Sequence, residues 1–112
     1  MPMKDKDILQ DLLAVIQDRR DNPIEGSYTC YLLGQGLDKI LKKLGEECAE
    51  TLIAAKNGDH EATVSELCDL LYHLLVMMAA QGIEWEAIRR ELTIRRDKIG
   101  NLKTMRETDR HT

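Results

Sequence analysis

The sequence predicts an all-α fold: a bundle of about four main helices per chain, completed by dimerisation. The 112-residue chain has no Phe, one Trp and three Tyr, so its core must consist of aliphatic side chains, which suit helices. Only two prolines occur, Pro2 and Pro23, and long stretches are free of helix breakers. One predicted helix is apolar on every side. Its apolar surface is larger than the three other helices of a small chain can cover. A partner chain is therefore expected to complete the bundle.

The first helix is predicted over about residues 5–20. Apolar side chains recur there at helical spacing on one side, at Ile8, Leu12, Val15 and Ile16. Pro23 lies in the break that follows this helix. Ser27 is then expected to cap a short helical segment, which Gly34 and Gly36 end.

The second long helix is predicted over residues 37–57. Its apolar side is expected to face the core, with the carboxylates on the opposite side; the apolar residues are Ile40, Leu41, Leu44, Cys48 and Ala55. Gly58 is expected to end this helix, and Asp59 to cap the next one.

The last two helices are predicted over residues 60–81 and 84–98. The first of them is the segment that is apolar on every side, and Gly82 ends it. The second directs apolar side chains inward and arginines outward, the apolar residues being Trp85, Ile88, Leu92 and Ile99. Residues 1–112 are expected to form a single domain with an ordered core over about 5–99 and a polar, frayed tail over 100–112.

Composition excludes several classes of function. The net charge of −4 and the lack of a basic stripe argue against a nucleic-acid binder. The longest apolar run has about 14 residues and contains Asp69 and His73, which argues against a membrane span. The N-terminal residues lack a signal-peptide core, and a cytoplasmic protein is expected. Cys48 and Cys68 are expected to be small core residues, with no disulfide framework.

Five carboxylates on two helices suggest a metal site. Glu66 and Asp69 lie about 60° apart on a helix that is otherwise apolar, where an uncompensated carboxylate costs several kcal/mol. The upstream helix adds three more along one edge: Glu46, Glu47 and Glu50. Mg²⁺ and Mn²⁺ prefer such oxygen ligands. The alternative for the upstream group is a solvated face paired with Lys42 and Lys43, but that explanation does not cover Glu66 and Asp69.

The sequence has no Gly-rich phosphate loop of the Walker type, no H-E-x-x-H and no nucleophile with a credible base. The mechanism that is left is metal-assisted attack by water on a phosphate. Lys39 and Lys43 share the acidic stripe and are candidates for holding the outer oxygens of a polyphosphate, against the alternative of ordinary surface lysines. His73 is interpreted either as a hydrogen-bonded core histidine or as a contact to the acidic site or its phosphate.

These motifs together resemble the phosphoribosyl-ATP pyrophosphohydrolase family, over about residues 8–95. The residues that carry the resemblance are Ser27-Tyr28-Thr29, Gly36 with Leu37-Asp38-Lys39-Ile40, Lys42-Lys43-Leu44-Gly45-Glu46-Glu47 with Glu50, and Glu66 with Asp69-Leu70-Leu71-Tyr72-His73. The E-x-x-E and E-x-x-D pair is also typical of the wider all-α superfamily of MazG-like proteins and dimeric dUTPases. The S-Y-T segment together with K-K-x-G-E-E and D-L-L-Y-H is more specific.

The resemblance implies a MazG-like bundle that cleaves phosphoribosyl-ATP between the α and β phosphates, the second step of histidine biosynthesis. It implies Mg²⁺, with Mn²⁺ as a substitute, at Glu47, Glu50, Glu66 and Asp69, with Glu46 as a further candidate. It also implies substrate contacts at Ser27, Tyr28 and Thr29, and an obligate dimer. Two alternatives stay open: a house-cleaning hydrolase of other nucleoside triphosphates that uses the same site, and a non-catalytic helical assembly module.

Overall fold

A computed structural model describes residues 7–100, with side chains through residue 98. These residues form five helices and no strand: α1 (Ile8–Asp21), α2 (Tyr28–Gln35), α3 (Leu37–Lys56), α4 (His60–Gln81) and α5 (Trp85–Gly100). The predicted all-α class is confirmed, with the short segment after Ser27 forming a helix of its own. The predicted start near residue 5 and the polar tail beyond Gly100 lie outside the described residues.

Most of the predicted helix ends are confirmed by their capping contacts. The hydroxyl of Ser27 accepts a hydrogen bond from the backbone N–H of Cys30 at 3.2 Å, and the carboxylate of Asp59 accepts one from Ala62 at 3.0 Å. Each satisfies an N–H that has no partner within its own helix. The predicted stop at Gly34 was wrong, because α2 continues through that residue. It ends at Gly36, whose φ of 95° suits glycine.

The hydrophobic core surrounds α4, which packs against α1, α2 and α3. Its buried apolar residues come from all four helices: Leu13, Ile16, Leu32, Ile40, Leu75, Val76, Met78 and Ala79. On α1 the inward stripe is centred near Leu9 and Ile16. The expectation that Ile8 and Val15 face inward was wrong, since they are 51% and 49% exposed. Both lie about 90° or more around the helix from the centre of that stripe.

The buried face of α3 differs from the predicted one. Ile40, Glu47 and Ala54 are its buried residues, and they share a face because seven residues make about two helical turns. Leu41, Cys48 and Ala55, which were expected to face inward, are exposed. Glu47 therefore lies on the side of α3 that packs against α4, and the prediction that all the carboxylates lie opposite the core was wrong.

Only the start of α5 contacts the core, through the half-buried Trp85 and Ile88. Leu92, which was expected to face inward, is exposed because this part of α5 extends away from the other helices. The side chain of Ile99 lies outside the described residues. The described chain extends 50 × 33 × 30 Å with a radius of gyration of 16.8 Å, larger than the roughly 12–13 Å of a compact domain of this length.

One side of α4 is left uncovered in the single chain. Cys68 on α4 and Cys48 on α3 are free and exposed, so the prediction that they are core residues was wrong for one chain. By length and composition alone, α4 is long and apolar enough to cross a membrane. A membrane span was not expected from the sequence, because the apolar run of about 14 residues contains Asp69 and His73. The core helix of a folded domain passes the same test, and α4 carries Glu66, Asp69 and His73 within three turns.

Candidate active site

Three carboxylates from two helices converge where α3 packs against α4. Glu47 comes from α3, and Glu66 and Asp69 come from α4; one carboxylate oxygen of each lies within 4.8 Å of the other two. The turn at Asn57–Asp59 reverses the chain and brings the two acidic helix edges together. The acidic edge of α3 and that of α4 therefore face each other.

Two oxygens of this cluster are buried without any hydrogen-bond partner among the described residues: Oε2 of Glu47 and Oε2 of Glu66. The Glu47 side chain belongs to a residue that is only 8% exposed. A buried carboxylate oxygen without a partner is costly, and in native proteins it needs a proton, a water or a cation. Carboxylate oxygens are the ligands that hard divalent cations prefer. The residues present therefore fit a divalent metal ion.

Glu50, one turn after Glu47, adjoins both of these carboxyl groups. Burial raises the pKa of Glu47, and the neighbouring charges of Glu50 and Asp69 raise it further. The pKa of Glu66 is raised by the same causes, burial first and then Glu50. Negative charge is thus concentrated here, and among the described residues no Lys or Arg forms an ion pair with Glu47 or Glu66; Lys43 and His73 act on Glu47 only electrostatically. This is the electrostatic condition under which a cation binds best.

Thr51 joins the two acidic helices at the level of the cluster. Its hydroxyl lies 2.7 Å from the carbonyl oxygen of Glu47, within α3, and 3.3 Å from that of Glu66, across the interface. One hydrogen is shared between the two acceptors, so Thr51 fixes the relative height of α3 and α4. No motif in the sequence predicted a role for Thr51. The one available signal was its position directly after Glu50 and one turn after Glu47.

Glu46 and Lys43 pair with each other beside the three converging carboxylates, and Lys43 also acts electrostatically on Glu47. The Lys43 ammonium lies 3.1 Å from a carboxylate oxygen of Glu46 in an exposed ion pair. This hydrogen bond lowers the pKa of Glu46 and raises that of Lys43. Lys39 also acts electrostatically on Glu46. Both lysines therefore stand beside the acidic edge of α3, as their spacing predicted.

A group of polar aromatic residues lies on the other side of Asp69. His73 is buried, and its Nδ1 donates a hydrogen bond to the backbone carbonyl of Asp69 at 2.7 Å. In the neutral ring Nε2 is then an acceptor, and the Tyr28 hydroxyl lies 3.5 Å from it. Thr29 and Tyr72 share a hydrogen bond between their hydroxyls. The S-Y-T segment, widely separated in sequence from His73, is thus placed next to the acidic helix.

A comparison with models of known protein families identifies the family of this chain. The family model described as phosphoribosyl-ATP pyrophosphohydrolase matches residues 9–96. The chain belongs to this family.

Curated relatives agree with the assignment to the phosphoribosyl-ATP pyrophosphohydrolase family. A phosphoribosyl-ATP pyrophosphatase of Clostridium botulinum is 51% identical over 106 residues, 95% of this chain and 96% of the relative. The protein of the same name from Pelotomaculum thermopropionicum is 57% identical over 96 residues, 86% of this chain and 98% of the relative. The bifunctional histidine-biosynthesis protein of Lactococcus lactis is 48% identical over 103 residues, which are 92% of this chain and 49% of that protein.

The site residues that the resemblance predicted form three groups in the structure. Glu47, Glu66 and Asp69 converge, with Glu50 adjoining them. Glu46, Lys43 and Lys39 form the neighbouring edge of α3. The hydroxyls of Tyr28 and Thr29 meet His73 and Tyr72, whereas the hydroxyl of Ser27 caps α2.

The raised pKa of Glu66 predicts how stability depends on pH without metal. A carboxyl group whose pKa is higher in the folded than in the unfolded protein binds more protons when folded, so its contribution to stability is lost as pH rises through the folded-state pKa. In EDTA, wild type should therefore lose melting temperature relative to Glu66→Gln as pH rises from about 5 to about 8. Paired melting curves measure this difference. A difference that stays constant or grows in the wild type's favour would contradict the electrostatic account.

Proposed function

We propose that the chain hydrolyses the α–β phosphoanhydride of phosphoribosyl-ATP to phosphoribosyl-AMP and pyrophosphate, the second step of histidine biosynthesis. The names of the relatives support the substrate. The observation that carries the chemistry is the pair of buried, unpartnered oxygens on Glu47 and Glu66 inside a cluster of carboxylates. A solvated acidic face of a non-catalytic module would not bury them. An assay of pyrophosphate release from phosphoribosyl-ATP tests the proposal.

The cofactor of this reaction is Mg²⁺, with Mn²⁺ as a substitute. Glu47, Glu66 and Asp69 would hold it, together with Glu50. When bound, a divalent cation neutralises phosphate charge and makes a water molecule more acidic. Glu47 lies on the closed, core side of the cluster, whereas Glu50 and Asp69 are exposed. Substrate and attacking water therefore approach from the side of Glu50 and Asp69.

Other residues position the nucleotide. Lys39 and Lys43 stand beside the acidic edge, where their ammonium groups can bind the phosphates that leave as pyrophosphate. Tyr28 and Thr29 offer hydroxyls on the side of His73. We assign Ser27 to the substrate-binding segment through its cap on α2, which fixes where Tyr28 and Thr29 stand. His73 holds the backbone of Asp69 and directs Nε2 to the Tyr28 hydroxyl.

The metal assignment predicts an unusual stability result for Asp69→Asn. In the described structure the Asp69 side chain has no protein hydrogen-bond donor; His73 bonds its backbone carbonyl instead. In EDTA the variant should melt at or above the wild-type temperature, because one repelling charge has been removed. Saturating Mg²⁺ should stabilise wild type by about 2.7 kcal/mol at a hundred times the dissociation constant, and the variant less.

Thermal melts of both proteins, with and without Mg²⁺, measure this effect. If the Asp69 carboxylate were instead paired with a protein group, Asp69→Asn would leave that group without its partner. The free energy of unfolding would then fall by about 3–5 kcal/mol. A variant that melts well below wild type in EDTA would remove Asp69 from the metal site.

The functional unit is a homodimer or a higher homo-oligomer. Apolar side chains remain exposed along α4, including Val64, Leu67 and Leu71. Two adjoining apolar grooves of about 280 and 200 Å³ run where α4 meets α1 and the start of α5, and Leu71 lines both. Contiguous apolar surface of this kind marks an interface. A second copy of the chain, whose α4 carries the same surface, would bury it.

Sedimentation should therefore give at least twice the chain mass of 12.8 kDa at micromolar concentration. Leu71→Glu places a charge in both grooves and should shift the protein toward monomer, whereas Leu71→Met keeps the apolar volume and should leave the assembly unchanged. A wild-type protein that sediments as a stable monomer would refute the dimer.

Three broader expectations complete the proposed function. Residues 1–112 act as one catalytic domain, the protein works in the cytoplasm, and it uses no nucleic acid or membrane partner. The negative net charge of −4 argues against a nucleic-acid partner. The house-cleaning alternative uses the same carboxylates and differs in the base and sugar that it accepts.

A further inference from the structure

Three tyrosines form a row that begins beside the acidic cluster. The ring of Tyr28 stacks with that of Tyr72, with centroids 6.3 Å apart, and with that of Tyr31 at 6.2 Å. Through its hydroxyl Tyr28 reaches His73, whose ring is bonded to the backbone carbonyl of Asp69 and acts electrostatically on Glu47. The row therefore starts beside the part of α4 that carries Asp69. Tyr31 is its outer end, 50% exposed, and Tyr28 is its one stacking partner within the described residues.

An open depression of about 560 Å³ lies along the outer end of this row. Tyr28 and Tyr31 line it, and Gly26, with a φ of 85°, has open space where a side chain would begin. Its described lining has no cationic side chain and one carboxylate, that of Glu25. A phosphate would be repelled here, whereas an uncharged aromatic ring would find an aromatic wall. Lys39, Lys43 and the carboxylates of the candidate metal site are not part of this lining.

We propose that Tyr31 binds the purine base of the nucleotide by stacking on it. This inference rests on the proposed function and adds the subsite for the base. The spacing of 6.2 Å between the Tyr28 and Tyr31 rings is that of rings in direct contact, so a third ring does not fit between them. The base packs on the exposed part of Tyr31 instead. Glu25 only accepts hydrogen bonds, and it favours a base whose edge donates them, such as the amino group of adenine.

Loss of the ring should weaken substrate binding more than catalysis. A base stacked on one aromatic side chain gains an interaction that corresponds to a change of about 5- to 150-fold in affinity. Tyr31→Ala should raise KM for phosphoribosyl-ATP within that range and change kcat much less, and Tyr31→Phe should restore KM. Val15→Ala, which truncates a side chain of similar exposure on α1, should not move KM.

A second measurement does not depend on turnover. Saturation-transfer NMR should show magnetisation passing from wild-type protein to the base protons of adenosine in EDTA, since adenosine has no phosphate and needs no metal. The transfer should persist in Tyr31→Phe and fall severalfold in Tyr31→Ala. No transfer to wild type, equal transfer to Tyr31→Ala, or an unchanged KM in Tyr31→Ala would overturn the base subsite. Failure of the proposed function is distinct: the wild type would release no pyrophosphate while the adenosine signal remained.

Discussion

Turnover of phosphoribosyl-ATP should stop in excess EDTA and return when Mg²⁺ or Mn²⁺ exceeds the chelator. The reason is the donor set: Glu47, Glu66 and Asp69 offer only oxygen atoms. Among the described residues the nearby Lys43 is paired with Glu46, and no Lys or Arg forms an ion pair with Glu47 or Glu66. Without metal, phosphate oxygens would meet a cluster of negative charge and be repelled. The effect should therefore be close to complete.

Pyrophosphate release, followed over a titration of chelator and metal, measures this dependence. A melting curve in EDTA serves as the control, because it separates loss of metal from loss of fold. Turnover that persists in excess EDTA, with the protein still folded, would rule out the metal mechanism.

Helix positions and ends were the part of the fold that the sequence predicted best. Asp59 and Gly82 are local signals: a side chain that caps its own helix, and a residue that adopts a left-handed conformation at little cost. Which face of a helix is buried depends on its neighbours, and there the predictions erred. Glu47 was placed opposite the core of α3, although it shares the buried face of that helix with Ile40 and Ala54, where α4 packs.

The candidate site shows the same division between local and long-range information. The spacing of Glu66 and Asp69 fixes their shared edge on one helix, and the structure brings that edge to Glu47. Thr51 and Tyr31 could not be found this way, because their importance comes from residues distant in sequence or from an open depression formed by a loop. The proposed dimerisation, too, rests on a surplus of exposed apolar surface and not on a local motif.

Removing single carboxylates should produce the largest effects of any substitution. Glu50→Gln, Glu66→Gln and Asp69→Asn should each lower kcat more than about 100-fold, beyond the roughly 10- to 100-fold typical of residues that only support metal ligands. Each change keeps the size of the side chain and removes one negative charge from a cluster whose members lie within a few ångströms of one another. Steady-state kinetics at saturating Mg²⁺ measures the loss.

The same substitution at Glu61, an exposed residue in the first turn of α4, is the matched control and should leave the rate near that of wild type. Glu46→Gln is informative as well. Because Glu46 pairs with Lys43 outside the three converging carboxylates, its loss should cost less than that of Glu66. Near-normal rates in any two of the three cluster variants would mean that the active site lies elsewhere.

A comparison of substrates in the presence of Mg²⁺ tests the proposed reaction most directly. Wild-type protein is given phosphoribosyl-ATP and, separately, ATP, GTP and dUTP, and both products are identified. We expect pyrophosphate and phosphoribosyl-AMP, with kcat/KM for phosphoribosyl-ATP at least about 100-fold above that for any ordinary triphosphate. Equal or faster hydrolysis of an ordinary triphosphate would contradict it in favour of a house-cleaning enzyme, and no hydrolysis of any of them would contradict it in favour of a non-catalytic module.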